Sequence, residues 1–304
     1  MDPIMLQIGP LAIRWYGFLI AAGVLVGSLW ATRLAPSRGV DPEKLLDSAP
    51  LLVVAGIIGA RLVYVLTSPD AFFGPDGNWV DAFKVWQGGI SIHGGILGIV
   101  LALWGYARVR KMNMWAALDV MTLVGALGII GGRIGNFMNG SDTGGRPTDW
   151  AIGFDWPPPG TDTLGAFGRT IFGDPLWLYG PPACTNVAVG EPCTVHLTPL
   201  YGAIIGVILV FVCLWALGRS KAPGFAFWQF VLWYSVLRSL LEEPFRDNPL
   251  VWPVYLNESA GIGFFTLTQL VSIPIILVAI YILLTMDPDA EERRERLAMR
   301  ARRR

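Results

Sequence analysis

The sequence is poor in charge and in cysteine, and both shortages narrow the kind of protein that it can encode. Only 15% of its 304 residues are charged, against about 25% in a typical soluble domain. Its 23 basic and 23 acidic residues cancel, so no overall field attracts nucleic acid. Three cysteines are too few for a disulfide scaffold and do not have the spacing of a metal site. We therefore expect no nucleic-acid partner, no metal site and no cofactor.

Apolar residues dominate instead. They make up 53% of the chain, together with 36 glycines, 22 prolines and 13 tryptophans, a composition typical of membrane helices and their interfaces. A spanning helix needs about 20 mostly apolar residues, and such runs occur at roughly 13–33, 48–66, 89–107, 115–138, 198–217, 224–242 and 264–285. They predict an all-α fold, a polytopic membrane bundle of about seven helices. Because Met1–Pro10 contains no Lys or Arg, we expect the first run to be a permanent anchor rather than a cleavable signal.

The distribution of basic residues predicts how this bundle is oriented. Cytoplasmic loops are enriched in Lys and Arg, and most of them lie on the side of the predicted spans that includes the C-terminal tail. We therefore expect the N-terminus outside and residues 287–304 to form a basic cytoplasmic tail that touches anionic lipid headgroups. Residues 1–286 then form one membrane domain, with an extracytoplasmic cap built from loops 67–88 and 139–197. Cys184 and Cys193 share the second loop, either as a disulfide or as two unpaired thiols.

Ionisable side chains within membrane spans are costly and usually mark a function. The predicted spans contain Arg61, His93, Arg133, Arg238 and Glu242. Further hydrogen-bonding capacity comes from Tyr16, Asn136, Asn139 and Tyr234. Three arginines with few acids indicate an anionic ligand, and a phosphate fits because guanidinium binds it with two hydrogen bonds.

Helical spacing groups some of these residues. Arg133, Asn136 and Asn139 follow one another at intervals of three residues, so they share one helical face. The glycines around them permit close approach of a ligand or a neighbouring helix. Arg238 and Glu242 are four residues apart, which permits an ion pair within the membrane.

Each candidate also has a purely structural interpretation. Arg61 could pair with a backbone carbonyl or an acid, and His93 could be a histidine that packs between helices. Arg238 and Glu242 could form an ordinary buried bridge. Tyr16 stands at the start of a span and could be an anchor in the aromatic belt of the interface.

Motifs along nearly the whole chain resemble those of one known family. In order, they are Arg14-Trp15-Tyr16-Gly17, Gly59-Ala60-Arg61-Leu62-Val63-Tyr64, Trp86 through Gly95, Gly132 through Gly140, His196 through Tyr201, and Arg238 through Arg246. The chain resembles the prolipoprotein diacylglyceryl transferases of bacterial inner membranes, and the block around Arg133 is the most specific part of the likeness. The resemblance implies a seven-span enzyme with phosphatidylglycerol and a prolipoprotein signal peptide, with its lipobox cysteine, as substrates. Membrane lipids are then its other partners.

The resemblance also implies roles for individual residues. Those expected to take part in catalysis are Tyr16, His93, Arg133, Arg238 and Glu242. Those expected to bind substrate are Arg61, Arg133, Asn136, Asn139, Asp142, Gly144 and Tyr234. In this interpretation neutral His93 accepts the proton of the substrate thiol. Arg133 and Arg238 stabilise the leaving phosphate in a dry site.

Three positions depart from the family pattern. Asp142 stands near the place of a family glutamate, one residue later and one methylene shorter. The segment from His196 to Tyr201 is followed by Gly202, where the family has a second glutamate. Arg246 keeps the family spacing to Glu243 rather than to Glu242, which indicates a one-residue shift or insertion near Pro244.

Two further functions fit part of this pattern. The lost carboxylates would suit a divergent paralogue that binds lipid or lipoprotein precursors without catalysis. Intramembrane arginines in glycine-rich helices would suit a transporter or flippase of an anionic lipid. Internal repeats would support a transporter, and the sequence shows none. Transfer of the diacylglyceryl group is therefore the leading hypothesis.

Overall fold

A computed structural model describes residues 4–8, 11–74, 77–85, 91–139, 145–156, 193–220 and 222–287. The chain divides into two compact units: Thr32–Leu118, and Met1–Ala31 together with Asp119–Arg304. Long helices coincide with the predicted spans: α1 (Trp15–Leu34), α2 (Pro42–Thr67), α3 (Ile92–Arg110), α4 (Met114–Asn139), α5 (Thr198–Arg219), α6 (Phe225–Leu237) and α7 (Leu267–Thr285).

Several of these helices can cross a membrane. Within the described ranges, five are long and apolar enough, namely Trp15–Arg38, Pro42–Thr67, Met114–Met138, Thr198–Arg219 and Leu267–Thr285. The chain is therefore a predominantly helical, multi-pass membrane protein. The full count of seven spans stays a prediction. Helix α6 has only 13 residues because the chain leaves α-helical geometry at Arg238.

The prediction of an all-α fold needs one correction, because the chain also forms antiparallel hairpins. Two strands precede α1 directly, two interrupt the second long loop, and two connect α6 to α7. Their ranges are β1 (Ile4–Ile8), β2 (Leu11–Arg14), β3 (Phe154–Trp156), β4 (Cys193–Val195), β5 (Leu250–Asn257) and β6 (Ile262–Thr266). These runs are short and rich in β-branched and aromatic residues, and the ends of β2 and β6 fall within the predicted spans 13–33 and 264–285.

The hairpin β5–β6 shows where the last span begins. The sequence predicted a span from residue 264, but β6 continues to Thr266 and α7 begins at Leu267. A capping box sets this start: Thr266 Oγ1 accepts a hydrogen bond from Gln269 N, and Gln269 Oε1 accepts one from Thr266 N. Such a reciprocal pair satisfies two backbone donors that would otherwise be left free at the first turn.

Close packing and one buried acid organise the unit that carries α4, α5, α6 and α7. A Cβ on Gly23 of α1 would lie 2.5 Å from Leu127 O of α4, and one on Gly27 would lie 2.7 Å from Val124 Cα, so the two backbones touch. Asp119 is fully buried. Its carboxylate accepts hydrogen bonds from the backbone N–H groups at the start of α6, Gly224 and Phe227, both at 2.9 Å, and so caps that helix.

The other unit pairs α2 with α3. Here too glycines bring two helices together: a Cβ on Gly59 would lie 3.1 Å from Gly98 Cα, and one on Gly56 would lie 3.1 Å from Ile99 Cγ1. The start of α2 is capped by Asp41, whose Oδ1 accepts a hydrogen bond from Glu43 N at 3.0 Å. Small residues therefore set the approach of the helices in both units.

The two long loops are only partly described. Loop 67–88 contains one helical turn, Asp70–Phe73, and a 3₁₀ turn, Trp79–Phe83. In loop 139–197, β3 pairs with β4. Cys184, the Cys193 side chain and the tail from residue 288 lie outside the described residues. The disulfide, the cap and the tail therefore stay predictions, as does the division into a membrane domain and a tail.

Candidate active site

Three arginines and two glutamates form a buried ion-pair cluster. At its centre is Glu242, whose Oε1 lies 2.6 Å from Arg133 Nη2 and 3.1 Å from Arg246 Nη1. Arg238 Nη1 lies 3.5 Å from Glu242 Oε2, and its Nη2 lies 3.4 Å from Glu243 Oε2. Glu242 and Glu243 are 1% and 0% exposed. With three guanidiniums and two carboxylates, the cluster has one positive charge in excess, which favours an anionic ligand beside it.

A π-helical turn explains why Arg238 meets two acids. From Arg238 to Glu242 the helix widens to π geometry, and Glu243 N donates its hydrogen bond to Arg238 O, five residues back. Turns of this kind occur as single bulges within α-helices, frequently at functional sites. The one-residue shift or insertion near Pro244, expected from the spacing of Arg246, stays a prediction.

Glu243 connects this cluster to the start of α7. Its Oε1 accepts hydrogen bonds from Asn248 Nδ2 at 2.5 Å and from Thr266 Oγ1 at 3.2 Å. Neither Glu243 nor Arg246 was among the predicted site residues. The signal that could have found Glu243 is the pair of adjacent acids at the end of an apolar span.

Gly202 of α5 makes room for Arg133. A Cβ at position 202 would lie 2.6 Å from Arg133 Nε and 2.8 Å from its Cδ, distances that real Cβ atoms do not adopt. The guanidinium group therefore lies directly over the backbone of α5. The absence of a side chain at position 202 leaves the space that the Arg133 side chain occupies.

Replacing Gly202 with alanine is expected to displace the Arg133 side chain and to lower activity about 10-fold or more, because catalytic groups tolerate little misplacement. Gly218→Ala on the same helix is the matched control, since nothing lies within 4 Å of a Cβ there. The control should keep full activity and gain up to about 1 kcal/mol of stability. Steady-state rates of the enzymatic reaction, measured for Gly202→Ala and Gly218→Ala, check this prediction. Equal rates for the two variants would contradict it.

Tyr16 and Asn136 border the same stretch of α4. A Cβ on Gly135 would lie 2.8 Å from Tyr16 Cα and 2.9 Å from its ring atom Cδ2, so α1 presents Tyr16 to the segment that carries Arg133. Asn136 Oδ1 is buried and, within the part of the chain that is described, accepts no hydrogen bond. An unsatisfied buried amide oxygen costs free energy, and a hydroxyl donor of a ligand would satisfy it.

Tyr234 approaches the cluster from α6. Its ring stacks on Phe230, with ring centroids 6.0 Å apart and planes at 9°, and packs against buried Ile205 and Leu209 of α5. Its hydroxyl lies beside the Arg238 guanidinium. The structure thus joins Arg133, Arg238 and Glu242 directly and places Tyr234 beside Arg238. Tyr16 packs on Gly135, and Asn136 lies one turn beyond Arg133 on α4.

Arg61 belongs to the other compact unit and is 7% exposed. Its Nε donates a hydrogen bond to Ala82 O at 2.9 Å, and its Nη2 donates to Asp81 O. The guanidinium also lies over the rings of Tyr64 and Phe72, at 5.6 and 5.2 Å. These contacts match the alternative in which Arg61 pairs with carbonyls, and its substrate-binding role stays a prediction.

Four predicted site residues cannot be placed in this geometry. The backbone of His93 lies in the first turn of α3 and that of Asn139 ends α4, but their side chains are not among the described parts of the structure. Asp142 and Gly144 lie outside the described residues. Their roles stay predictions.

His196 organises a second buried group, which the sequence prediction of the site missed. It is 0% exposed. Its Nε2 lies 2.7 Å from Ala260 O and its Nδ1 lies 3.1 Å from Tyr201 Oη. A carbonyl can only accept, so Nε2 carries the proton and Nδ1 accepts from the tyrosine. The rings of Phe245 and Trp150 pack at 4.8 and 5.8 Å.

Arg146 connects this group to the chain that follows the cluster. Its backbone accepts from His196 N at 3.0 Å and donates to Phe245 O at 2.8 Å, and its Nη2 donates to Asn248 O at 2.7 Å. Burial raises the pKa of the neighbouring Asp247 carboxyl, and the charge of Arg146 partly opposes that rise. These contacts fix the segment between Arg246 and β5.

The stability of the protein is expected to fall on acidification because of His196. Burial lowers the pKa of this imidazole below 6.5, although its hydrogen bond to Ala260 O opposes the shift. Below about pH 6.5 the unfolded chain binds a proton that the folded chain refuses, so stability is full above that pH and lost below it. The loss is at most ~1.4 kcal/mol per pH unit.

Thermal unfolding between about pH 8 and about pH 5.5 checks this expectation. His196→Gln has no titrating ring but can still donate to the carbonyl, so its unfolding midpoint should fall less over this range than that of the unmodified protein. Parallel pH profiles for the two proteins would contradict the assignment.

Known proteins match this chain over nearly its whole length. Residues 3–285 match the family model described as prolipoprotein diacylglyceryl transferase. A protein of Thermus thermophilus named phosphatidylglycerol–prolipoprotein diacylglyceryl transferase is 46% identical over 95% of this chain and 100% of its own length. Its namesake from Deinococcus radiodurans is 42% identical over 93% and 85%, and that from Synechocystis is 31% identical over 96% and 94%.

The chain belongs to the prolipoprotein diacylglyceryl transferase family. The match extends across both compact units and includes α1, α4 and the α6 turn. The resemblance seen in the sequence motifs is thereby confirmed. The matched region includes the buried cluster, in which Glu242 pairs with Arg133 and Arg238.

Proposed function

We propose that the protein transfers a diacylglyceryl group from phosphatidylglycerol to the cysteine thiol of a prolipoprotein. The observation that carries the proposal is the buried cluster of three guanidiniums and two carboxylates in a membrane protein of this family. A positively charged group in an apolar bundle is costly, and the phosphodiester of an anionic lipid would compensate the excess charge. The names of the relatives supply the two substrates.

Charge stabilisation of the leaving group is the main task of the cluster. The thiolate attacks the glyceryl carbon that bears the phosphate ester; a C–S bond forms, the C–O bond breaks, and glycerol 1-phosphate leaves with the bonding electrons. The guanidinium groups of Arg133 and Arg238 are held in place by Glu242, so they need no reorganisation as charge develops on the phosphate. Asn136 Oδ1 is the free acceptor that a hydroxyl of the glycerol headgroup would use.

The thiol proton requires a base. A free thiol has a pKa of about 8.5, and only the thiolate is a good nucleophile. We assign the base to His93, whose backbone lies at the first turn of α3, and a positioning role to Tyr16. His196 is unsuited to this task, because its two ring nitrogens are already engaged by Ala260 and Tyr201.

The setting proposed for this reaction is the outer side of the bacterial inner membrane, with seven spans, the N-terminus outside and the C-terminus in the cytoplasm. The substrate cysteine lies in the lipobox of a signal peptide. The bias of basic residues toward the C-terminal side supports this orientation. A reporter fused after Arg304 should be active only in the cytoplasm, and activity outside would overturn the topology.

Purified protein supplied with phosphatidylglycerol and a lipobox peptide should release glycerol phosphate and produce a peptide with a thioether-linked lipid. Mass spectrometry of the peptide and an enzymatic assay of the phosphate measure both products. A peptide whose cysteine is replaced by serine should give neither. Lipid binding without release would instead support a catalytically silent relative, and movement of lipid between leaflets without release would support a flippase.

A further inference from the structure

A groove of about 250 Å³ lies between the π turn at the end of α6 and the first turns of α7. We call it the α6–α7 groove. Its walls are almost entirely apolar, and they include Val236, Ser239, Leu240, Phe264, Leu270 and Ile273. Whole drug-sized ligands occupy ~300–1,000 Å³, so a groove of this size holds part of a lipid rather than all of it.

The few polar groups of the groove differ in what they can still bind. The Gln269 side chain is engaged at both ends: its Oε1 accepts from the backbone N–H groups of Phe265 and Thr266 at 2.6 and 3.0 Å, and its Nε2 donates to Ser239 O at 2.9 Å. Ser239 is 8% exposed, and its Oγ is buried with no hydrogen-bond partner among the described residues. Leaving a buried hydroxyl unpaired costs about 1–3 kcal/mol.

Ser239 lies on the π turn and lines the groove. In a regular helix a serine hydroxyl commonly bonds the carbonyl one turn earlier. Ser239 Oγ makes no such bond, whereas the Ser239 carbonyl accepts a hydrogen bond from Gln269 Nε2. Ser239 therefore contributes to the groove wall a hydroxyl donor, just beneath the surface, that no described residue uses.

A fatty acyl ester has this combination of groups. Its carbonyl oxygen is a strong acceptor, its chain is apolar, and the ester lies a few bonds from the phosphate of a diacyl phospholipid. Arg238, which belongs to the ion-pair cluster, immediately precedes Ser239 on the π turn. A lipid whose phosphate lies at the cluster would therefore have an ester group close to Ser239.

We propose that the α6–α7 groove binds one acyl chain of the anionic diacyl lipid substrate and that Ser239 Oγ donates a hydrogen bond to the ester carbonyl of that chain. The inference rests on the proposed function, because it takes the lipid at the cluster to be the donor of the transferred group. It adds a specificity site: the enzyme recognises the ester and chain of its lipid as well as the headgroup.

Two variants test the two parts of this site. Ser239→Ala removes the donor and should raise the KM for phosphatidylglycerol about 5- to 10-fold, with little change in kcat, for any chain length. Leu270→Trp fills the groove and should lower kcat/KM at least about 10-fold for dioleoyl phosphatidylglycerol but leave the dihexanoyl lipid almost unaffected. Leu277→Trp, on an exposed part of α7 away from the groove, is the matched control and should change neither.

Dependence on chain length separates this site from a structural effect. Equal losses for long and short chains in Leu270→Trp, or no loss in either variant, would overturn the proposal. A destabilised helix bundle would lower activity equally with the dioleoyl and the dihexanoyl lipid. The ratio of the two kcat/KM values therefore reports on the groove even if the variant is less stable.

Photolabelling makes the test independent of turnover. Phosphatidylglycerol with a diazirine in one acyl chain should label Leu240, Leu270 or Ile273 of the full-length protein in nanodiscs, and Leu270→Trp should reduce that labelling. Labelling of these residues without any release of glycerol phosphate would support lipid binding in the α6–α7 groove and contradict the proposed transferase function. Labelling spread along α7 to Leu277, or equal labelling by phosphatidylcholine, would show a general lipid contact and overturn the assignment to substrate.

Discussion

Replacing Arg133 with alanine should lower the release of glycerol phosphate by about 100- to 1,000-fold, the loss typical when a donor that stabilises transition-state charge is removed. In the proposed reaction Arg133, held 2.6 Å from Glu242, supplies part of the charge that stabilises the leaving phosphate. Arg133→Lys keeps the charge but cannot form the two parallel hydrogen bonds of a guanidinium. Its activity should therefore lie between that of Arg133→Ala and that of the unmodified protein. Initial rates with phosphatidylglycerol and a lipobox peptide measure the effect.

A matched control is available on the surface of the other unit. Arg110 pairs with Asp47 at 3.4 Å, and both side chains are largely exposed, so Arg110→Ala should change neither stability nor rate measurably. If Arg133→Ala instead retained near-normal turnover, Arg133 would have no part in the chemistry, and the cluster would be a structural ion-pair network only.

The largest effect on stability is expected from Glu242→Gln. This carboxylate is 1% exposed and contacts all three guanidiniums. Its neutralisation leaves Arg133, Arg238 and Arg246 facing one another, with Glu243 as the one remaining carboxylate among the described residues of the cluster. Breaking a buried pair in this way costs about 3–5 kcal/mol, which should lower the unfolding midpoint by about 10 °C for a chain of this size. Thermal unfolding in detergent or nanodiscs measures it.

A second substitution shows whether charge is the cause. Adding Arg246→Gln to Glu242→Gln removes one uncompensated guanidinium and should recover part of the lost midpoint, since residues in one network couple strongly. Additive losses in the double variant would mean that the shape of Glu242, rather than its charge, is what the fold requires. Asp47→Asn, at the exposed pair, is the control and should leave the midpoint unchanged.

Hydropathy and helical spacing predicted most of what carries the site. The predicted span 198–217 corresponds to α5, and 115–138 to α4, because long apolar runs leave the chain few alternatives to a helix. The pair formed by Arg238 and Glu242 was predicted from its four-residue spacing and is present. The resemblance in motifs had singled out Arg133 and Asn136, and the structure places them on one stretch of α4.

Other features depend on contacts that a linear pattern does not contain. The π turn changes the phase of the helix after Arg238, so α-helical spacing could not show that Glu243, five residues on, also contacts Arg238. The strand β6 is apolar and adjoins α7, so hydropathy assigned its last residues to the span, and only its pairing with β5 distinguishes it. The buried His196 ring bonds to the carbonyl of Ala260, a residue 64 positions away, which no local sequence pattern could indicate.

The glycine contacts between α1 and α4 limit how this protein can be stabilised by engineering. Exchanging a helical glycine for alanine usually strengthens a helix by about 1 kcal/mol. At Gly23 or Gly27 the added methyl group would enter the backbone of the facing helix and drive the two apart, whereas at Gly105 and Gly128 it would meet nothing within 4 Å. A thermostable variant for crystallisation should therefore begin from the latter two positions and leave the former untouched.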